Sequence, residues 1–79
     1  MTRPIYKIAA EIRSNWAKVN YAAVPYLDAM SEINSIDDAY YADSARSVVL
    51  YFLANAGTFR GDAAKAIKVE LKALVKGAN

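Results

Sequence analysis

The chain contains no cysteine and no histidine among its 79 residues. The absence of cysteine excludes disulfide bonds and thiolate zinc sites. The absence of histidine removes imidazole metal ligands and imidazole acid–base chemistry. Nucleophile–base pairs built on either residue type are excluded for the same reason. The sequence therefore predicts a protein that is not an enzyme, with no catalytic residues, no bound metal and no cofactor.

Glycine and proline are scarce, with three and two residues. The glycines lack the spacing and the strand–turn–helix context of a phosphate-binding loop. The acidic residues Asp37, Asp38 and Asp43 lack the alternating ligand positions and the turn glycine of a calcium loop. These patterns give no indication of a nucleotide or calcium site.

Long hydrophobic runs are also absent. The longest uncharged run, residues 47–59, is too short for a transmembrane helix, which needs roughly 20 apolar residues. Charged residues near the N-terminus interrupt any signal-peptide core. Together with the missing cysteines, these features favour a soluble, cytoplasmic protein with no membrane partner.

The hydrophobic residues that are present, 56% of the chain, recur at helical spacing and show no strand-like alternation. We therefore predict one all-α domain over residues 1–79, a small compact bundle of four helices. Helix 1 is predicted at about residues 4–18, because Pro4 suits a first turn and apolar residues then follow at intervals of three and four. Those apolar residues are Ile5, Ile8, Ala9, Ile12, Trp16 and Val19.

The second helix is predicted to begin between Tyr21 and Pro25 and to stop near Asn34. For the third, the pattern leaves two alternatives open. One helix runs from Ile36 to Ala56, or a break falls at residues 41–43 and Asp43 serves as a second N-cap.

From residue 45 the third helix is apolar on nearly all sides, which is typical of a buried helix. Its predicted spine consists of Val48, Val49, Phe52 and Leu53. Gly57 is expected to end this helix in a left-handed conformation. The fourth helix is predicted from a cap at Thr58 or Asp62 to about Lys76, with Gly77 as its stop.

Charge is sorted along the chain. Residues 1–20 carry a net charge of +3, residues 21–45 carry −5 and residues 46–79 carry +4, which add to the total of +2. Such asymmetry bears on the choice of partners rather than on the fold.

The acidic segment is also rich in tyrosine, a residue that suits both half-buried positions and interfaces. It predicts a docking surface for an unidentified, basic protein partner, formed by Tyr21, Asp28, Glu32, Asp37, Asp38, Tyr40 and Tyr41. Two alternatives stay open: the tyrosines seal the rim of the core, and the acids form a solvated face. Asp28 and Glu32, four residues apart on one predicted helix face, are also placed to bind a cation.

Lysines form a separate stripe on the last helix, at Lys65, Lys68, Lys72 and Lys76. Four ammonium groups on one side of a helix indicate a possible nucleic-acid-binding surface. The alternative is that these lysines complement the helix dipole and keep a small protein soluble.

Four stretches of the sequence resemble small, uncharacterised proteins encoded by bacteriophages and prophages. These stretches are Pro4–Tyr6, Asp43–Arg46, Tyr51–Ala56 and Phe59–Gly61. The resemblance implies a bacterial cytoplasm and an accessory role, and it assigns no functional residue.

Taken together, the sequence predicts a small helical interaction module that binds another protein. Nucleic-acid binding through the lysine stripe is the alternative. A homodimer that covers the apolar third helix is a separate expectation.

Overall fold

The computed structural model describes residues 3–40 and 43–77. Within these ranges the chain forms four helices and a two-stranded hairpin, which confirms the predicted small all-α bundle. The elements are α1 (Ile5–Asn15), α2 (Val24–Met30), β1 (Ala39–Tyr40), β2 (Asp43–Ser44), α3 (Ala45–Ala54) and α4 (Asp62–Gly77).

The helices are arranged in a ring around one hydrophobic core. Helix α1 packs against α2 and α4, and α3 packs against the same two helices. Helices α2 and α4 therefore lie across the bundle from each other. Because α4 carries the lysine stripe, this arrangement places the lysine stripe on the helix opposite α2.

Three aromatic rings form the centre of the core. Trp16 stacks on Phe59, with ring centroids 5.0 Å apart, and meets the edge of Phe52 at 6.1 Å. All three side chains are buried. Each contributes roughly 1.5–3 kcal/mol through removal of its apolar surface from water.

The predicted spine of α3 is confirmed at three of its four positions. Val48, Val49 and Phe52 are buried, and Leu53 is partly buried against the core. The expectation that α3 is buried on nearly all sides is wrong, since Leu50 and Tyr51 are 49% and 53% exposed. Helix α3 packs between α2 and α4, and its outer side is left uncovered by the described residues.

A hairpin separates α2 from α3, so the alternative of one helix from Ile36 to Ala56 is wrong, and α3 begins at Ala45, directly after the predicted break. Residues 41 and 42 of that break lie outside the described residues, and the segment before it is not helical. Ala39 pairs with Ser44 and Tyr40 with Asp43 in antiparallel register. The sequence showed no alternation there because each strand has only two residues.

Residues 34–38 form a turn, so no helix begins at Ile36. The Asp38 carboxylate accepts hydrogen bonds from the backbone amides of Asn34 at 3.1 Å and Ser35 at 3.0 Å. The Ser35 hydroxyl accepts one from the amide of Asp37 at 3.2 Å. These side chains satisfy backbone donors locally and so compete with helix formation.

The cap of α3 is Ser44 and not Asp43. The Ser44 hydroxyl accepts a hydrogen bond from the amide of Ser47 at 3.1 Å, and the backbone of Ser44 is extended. A serine in this position satisfies one of the free amides of the first helical turn.

Removing this cap gives a first testable prediction. Ser44→Ala should lower the free energy of unfolding by about 0.5–2 kcal/mol, because the amide of Ser47 loses its acceptor. Urea denaturation followed by circular dichroism measures the change. Ser14→Ala, on the exposed side of α1, is the matched control and should change stability by less than about 0.5 kcal/mol. Equal effects of the two substitutions would contradict the assignment of the cap.

Two helices end earlier than predicted. Helix α1 stops at Asn15 instead of residue 18, because Trp16 adopts an extended backbone and its ring enters the core. Helix α2 stops at Met30 instead of Asn34. The carbonyl groups of Ile33 and Asn34 instead accept hydrogen bonds from the amides of Tyr6 and Ile5, both at 2.8 Å. The segment after α2 thus caps the N-terminus of α1, which has no side-chain cap.

The predicted left-handed cap at Gly57 is wrong. Helix α3 ends at Ala54, and the left-handed glycine among the described residues is Gly61, with φ +110°, immediately before α4. The last helix runs from Asp62 to Gly77, close to the predicted bounds.

The two glycines give a paired prediction. A β-carbon at either Gly57 or Gly61 would meet no atom within 4 Å, so only the backbone conformation distinguishes the two positions. Gly61→Ala should lower the free energy of unfolding by about 1–2 kcal/mol, the cost of a left-handed conformation for an L-residue. Gly57→Ala should be neutral or stabilising by up to about 1 kcal/mol, since it restricts the unfolded chain. Urea denaturation of both variants tests the contrast, and the reverse order would contradict the backbone assignment.

Candidate protein-binding surface

An open groove of about 530 Å³ runs between α2 and α3. We call it the tyrosine groove. Helix α2 packs closely against α3, and strand β2 of the hairpin lies directly before the first residue of α3. The residues that line the groove are Pro25, Tyr26, Ala29, Asp43, Val48 and Tyr51.

The groove has an apolar floor and aromatic walls. Ala29 and Val48 are 5% and 3% exposed and form the floor. The rings of Tyr26 and Tyr51 pack against each other with centroids 5.5 Å apart and an interplanar angle of 31°. Tyr26 is partly buried against the core, whereas Tyr51 is 53% exposed. The two phenol rings therefore present a continuous aromatic surface that is only partly covered by the protein itself.

Proline and aspartate complete the chemistry of the groove. Pro25 lies in the first turn of α2, where its missing amide costs no hydrogen bond and its ring stays exposed. Asp43 lies in β2 and is also exposed. The groove thus offers apolar contact surface, phenol hydroxyl groups and a carboxylate. This combination suits an apolar side chain next to a cationic one.

The predicted docking residues of α2 are not brought together as expected. Tyr21 precedes α2, is 87% exposed and does not line the groove. Asp28 forms an ion pair with Arg13 of α1. Glu32 lies beyond the end of α2, so Asp28 and Glu32 do not share a helix face as predicted.

The remaining predicted residues lie around the hairpin. Asp38 is committed to the turn at residues 34–38, while Asp37 is exposed beside it. Tyr40 is in β1, and its side chain is outside the described part of the structure. Tyr41 lies outside the described residues.

Tyr26, Tyr51 and Asp43, which line the groove, are not among the docking residues predicted from the sequence. Tyr26 and Tyr51 are 25 positions apart, and their contact depends on how α2 packs on α3. One signal was present in the sequence. A helix as apolar as α3 leaves apolar surface exposed in a chain too short to cover every side of it.

The lysine stripe is found on the outer side of α4, as its spacing predicts. Lys65, Lys72 and Lys76 are exposed, and the Lys68 ammonium lies 5.8 Å from the centre of the Phe59 ring. Val69, 62% exposed, is on the same side of the helix. Within the described ranges no ion pair joins Lys65, Lys68 or Lys72 to a carboxylate. We call Lys65, Lys68, Lys72, Lys76 and Val69 the lysine face.

A second depression, of about 370 Å³, lies where the first turn of α1, the segment after α2 and the end of α4 meet. Its one arginine, Arg3, donates two hydrogen bonds to Glu70, at 2.6 and 3.1 Å, and forms an ion pair with Glu11 at 2.8 Å. The hydrogen bonds to Glu70 and then to Glu11 hold the pKa of the Arg3 guanidinium above its ordinary value. Arg3 is therefore already engaged in joining α1 to α4.

The described part of the chain contains neither a metal-binding cluster nor a membrane-spanning helix. Residues 3–40 and 43–77 hold no cluster of three or more acidic side chains that could bind a metal ion. None of the helices described is both long and apolar enough to cross a bilayer. Comparisons with protein-family models, curated proteins and solved structures find no match. A functional proposal for this chain therefore depends on the geometry of its own surfaces.

Proposed function

We propose that the protein is a non-catalytic binding module that docks another protein in the tyrosine groove. One observation carries the proposal: Tyr51 lines the groove and is 53% exposed while its ring packs against that of Tyr26. Rigid aromatic side chains with a polar tip contribute large contact area at low entropic cost, and they are enriched at protein interfaces. A groove between two helices is also a common seat for a helix or an extended peptide.

The chemistry of the groove defines its partner. The floor and walls favour an apolar or aromatic side chain, because its burial would remove apolar surface on both proteins from water. The carboxylate of Asp43, within a segment of net charge −5, favours lysine or arginine beside that side chain. The expected partner segment is therefore apolar and basic.

The resemblance to bacteriophage and prophage proteins adds a cellular setting to this proposal. In that setting the module is an accessory protein in the bacterial cytoplasm, and its partner is a phage or host protein.

Nucleic-acid binding is the second candidate function, and the lysine face favours it. Lys65, Lys68 and Lys72 have no carboxylate ion pair among the described residues, so their charges face solvent without local compensation. Such a face attracts phosphates without sequence preference and does so less well as salt rises. It lacks the arginine and aromatic side chains that usually read bases.

Site-specific photo-crosslinking in the cells that make the protein separates the two functions. A benzophenone amino acid replaces Tyr51 in the tyrosine groove, or Val69 on the lysine face. Tyr6 is the matched control, since it is a tyrosine on α1 that is 44% exposed and lies outside the groove. All three positions tolerate a larger aromatic group because each side chain already faces solvent.

Protein binding predicts a discrete cross-linked protein from position 51 that is absent from position 6. Nucleic-acid binding predicts cross-linked DNA or RNA from position 69 and no protein from position 51. The second pattern would contradict the proposed function and support the alternative. Equal cross-linking from positions 51 and 6 would show that the groove has no special role.

A further inference from the structure

The protein carries two complementary surfaces that face away from each other. The tyrosine groove lies between α2 and α3, and the lysine face lies on the outer side of α4. Since α2 and α4 are on opposite sides of the bundle, the lysines of α4 are directed away from the groove of their own chain. Lys65 and Lys72 can therefore meet the groove of another copy.

The lysine face matches the chemistry that the groove selects. Val69 is a 62% exposed apolar side chain among lysines, and the groove offers the rings of Tyr26 and Tyr51 to such a group. Lys65 and Lys72 are four positions before and three positions after Val69, so they flank it on the same side of the helix. When Val69 enters the groove, these lysines can meet the carboxylate and the aromatic rings that line the groove. Lys68 already lies above an aromatic ring in its own chain, that of Phe59.

We infer that the occupant of the tyrosine groove is a second copy of this chain, which inserts the lysine face of its α4. This inference rests on the proposed function, because it names the partner of the same groove. The carboxylate of Asp43 at the groove and the lysines of the lysine face carry opposite charges, and this complementarity orients the two copies head to tail.

Head-to-tail contact has a consequence for assembly. A pair of copies keeps an unoccupied groove at one end and an unoccupied lysine face at the other, so the contact is heterologous and can repeat. The protein should form rings or short chains rather than stop at a symmetric dimer. Because lysines and acids contribute at the rim of the contact, assembly should weaken with salt.

Sedimentation of the wild-type protein at increasing concentrations tests this inference. The average mass should rise beyond that of a dimer in about 0.1 M salt. It should fall in about 1 M salt, where the Debye length shortens from about 10 to about 3 Å. Tyr51→Ala disables the groove, and Lys65→Glu with Lys72→Glu disables the lysine face. Each variant alone should weaken association by about tenfold or more, as expected for a central interface residue or a reversed pair of charges.

Mixing the two variants tests directly whether the groove of one copy binds the lysine face of another. The Tyr51→Ala protein retains its lysine face, and the Lys65→Glu/Lys72→Glu protein retains its groove. Together they should form a complex of one copy of each that grows no further. Far-ultraviolet circular dichroism and the fluorescence of Trp16 establish that both variants are folded, since the substituted side chains are outside the core.

Three outcomes would overturn the inference. These are a wild-type protein that stays monomeric at high concentration, a dimer that survives in both variants, and a mixture that forms no complex. If the wild type is monomeric but position 51 cross-links a different protein, the proposed function stands and only the self-association is wrong. If position 51 cross-links nothing either, both are wrong.

Discussion

Phe52→Ala is expected to lower the free energy of unfolding by about 3–5 kcal/mol, the largest stability effect of any single substitution considered for this chain. Phe52 is fully buried in α3, and its ring meets the edge of Trp16 at 6.1 Å. Alanine leaves a cavity between α3 and the aromatic centre. In a small core few neighbouring side chains can move in to fill that cavity.

The size of the chain makes this effect severe. A 79-residue protein is stable by about 4–12 kcal/mol if it follows the usual range per residue. We expect the Phe52→Ala protein to be partly unfolded at room temperature and to melt well below the wild type. Urea denaturation followed by Trp16 fluorescence measures the change, because Trp16 packs directly on the altered position.

Leu50→Ala is the matched control for Phe52→Ala. It lies two positions away on α3 and is 49% exposed. Since a half-exposed side chain loses much less contact on truncation, we expect a change of less than about 1 kcal/mol. Similar losses for the two substitutions would show that the buried side of α3 has been assigned incorrectly.

Tyr51→Ala is expected to weaken binding of the partner that cross-links at position 51 by about 10- to 30-fold, which is the effect of losing a central aromatic residue at an interface. The substitution removes the exposed wall of the tyrosine groove and the stacking partner of Tyr26. It leaves the core intact, so the free energy of unfolding should fall by no more than about 1 kcal/mol. Isothermal titration calorimetry measures the first quantity and urea denaturation the second.

The separation of these two effects distinguishes a binding residue from a structural one. Tyr6→Ala removes a tyrosine of comparable exposure on α1 and should leave binding unchanged. A Tyr51→Ala protein that binds as well as the wild type would contradict the proposed role of the groove. A loss of binding that merely accompanies unfolding would show a structural role instead.

The fold was predictable from sequence wherever apolar residues recur at helical spacing. The inner face of α1 follows directly from that spacing, and Trp16 and Phe52, both predicted on inner faces, are buried in the core. Helix ends were less predictable, since they depend on tertiary contacts. Helix α1 stops where Trp16 turns into the core, and its first amides bond to carbonyl groups of a segment almost thirty residues away.

The candidate binding surfaces were predictable only in part. The lysine stripe depends on spacing within one helix, and the structure places its lysines on the outer side of α4 as expected. The tyrosine groove depends on the packing of α2 against α3 and on a hairpin with strands of only two residues. No local pattern encodes these contacts. Asp28 and Asp38 were predicted as docking residues from their charge alone. In the structure Asp28 forms an ion pair with Arg13, and Asp38 accepts hydrogen bonds within a turn.

Amide chemical-shift mapping of the isotope-labelled protein with its cross-linked partner tests the central claim most directly. A partner in the tyrosine groove should shift the amides of residues 24–30 and 43–51, which form its two sides, and a second copy of the chain should also shift those of α4. Shifts confined to residues 62–77, with α2 and α3 unchanged, would contradict it.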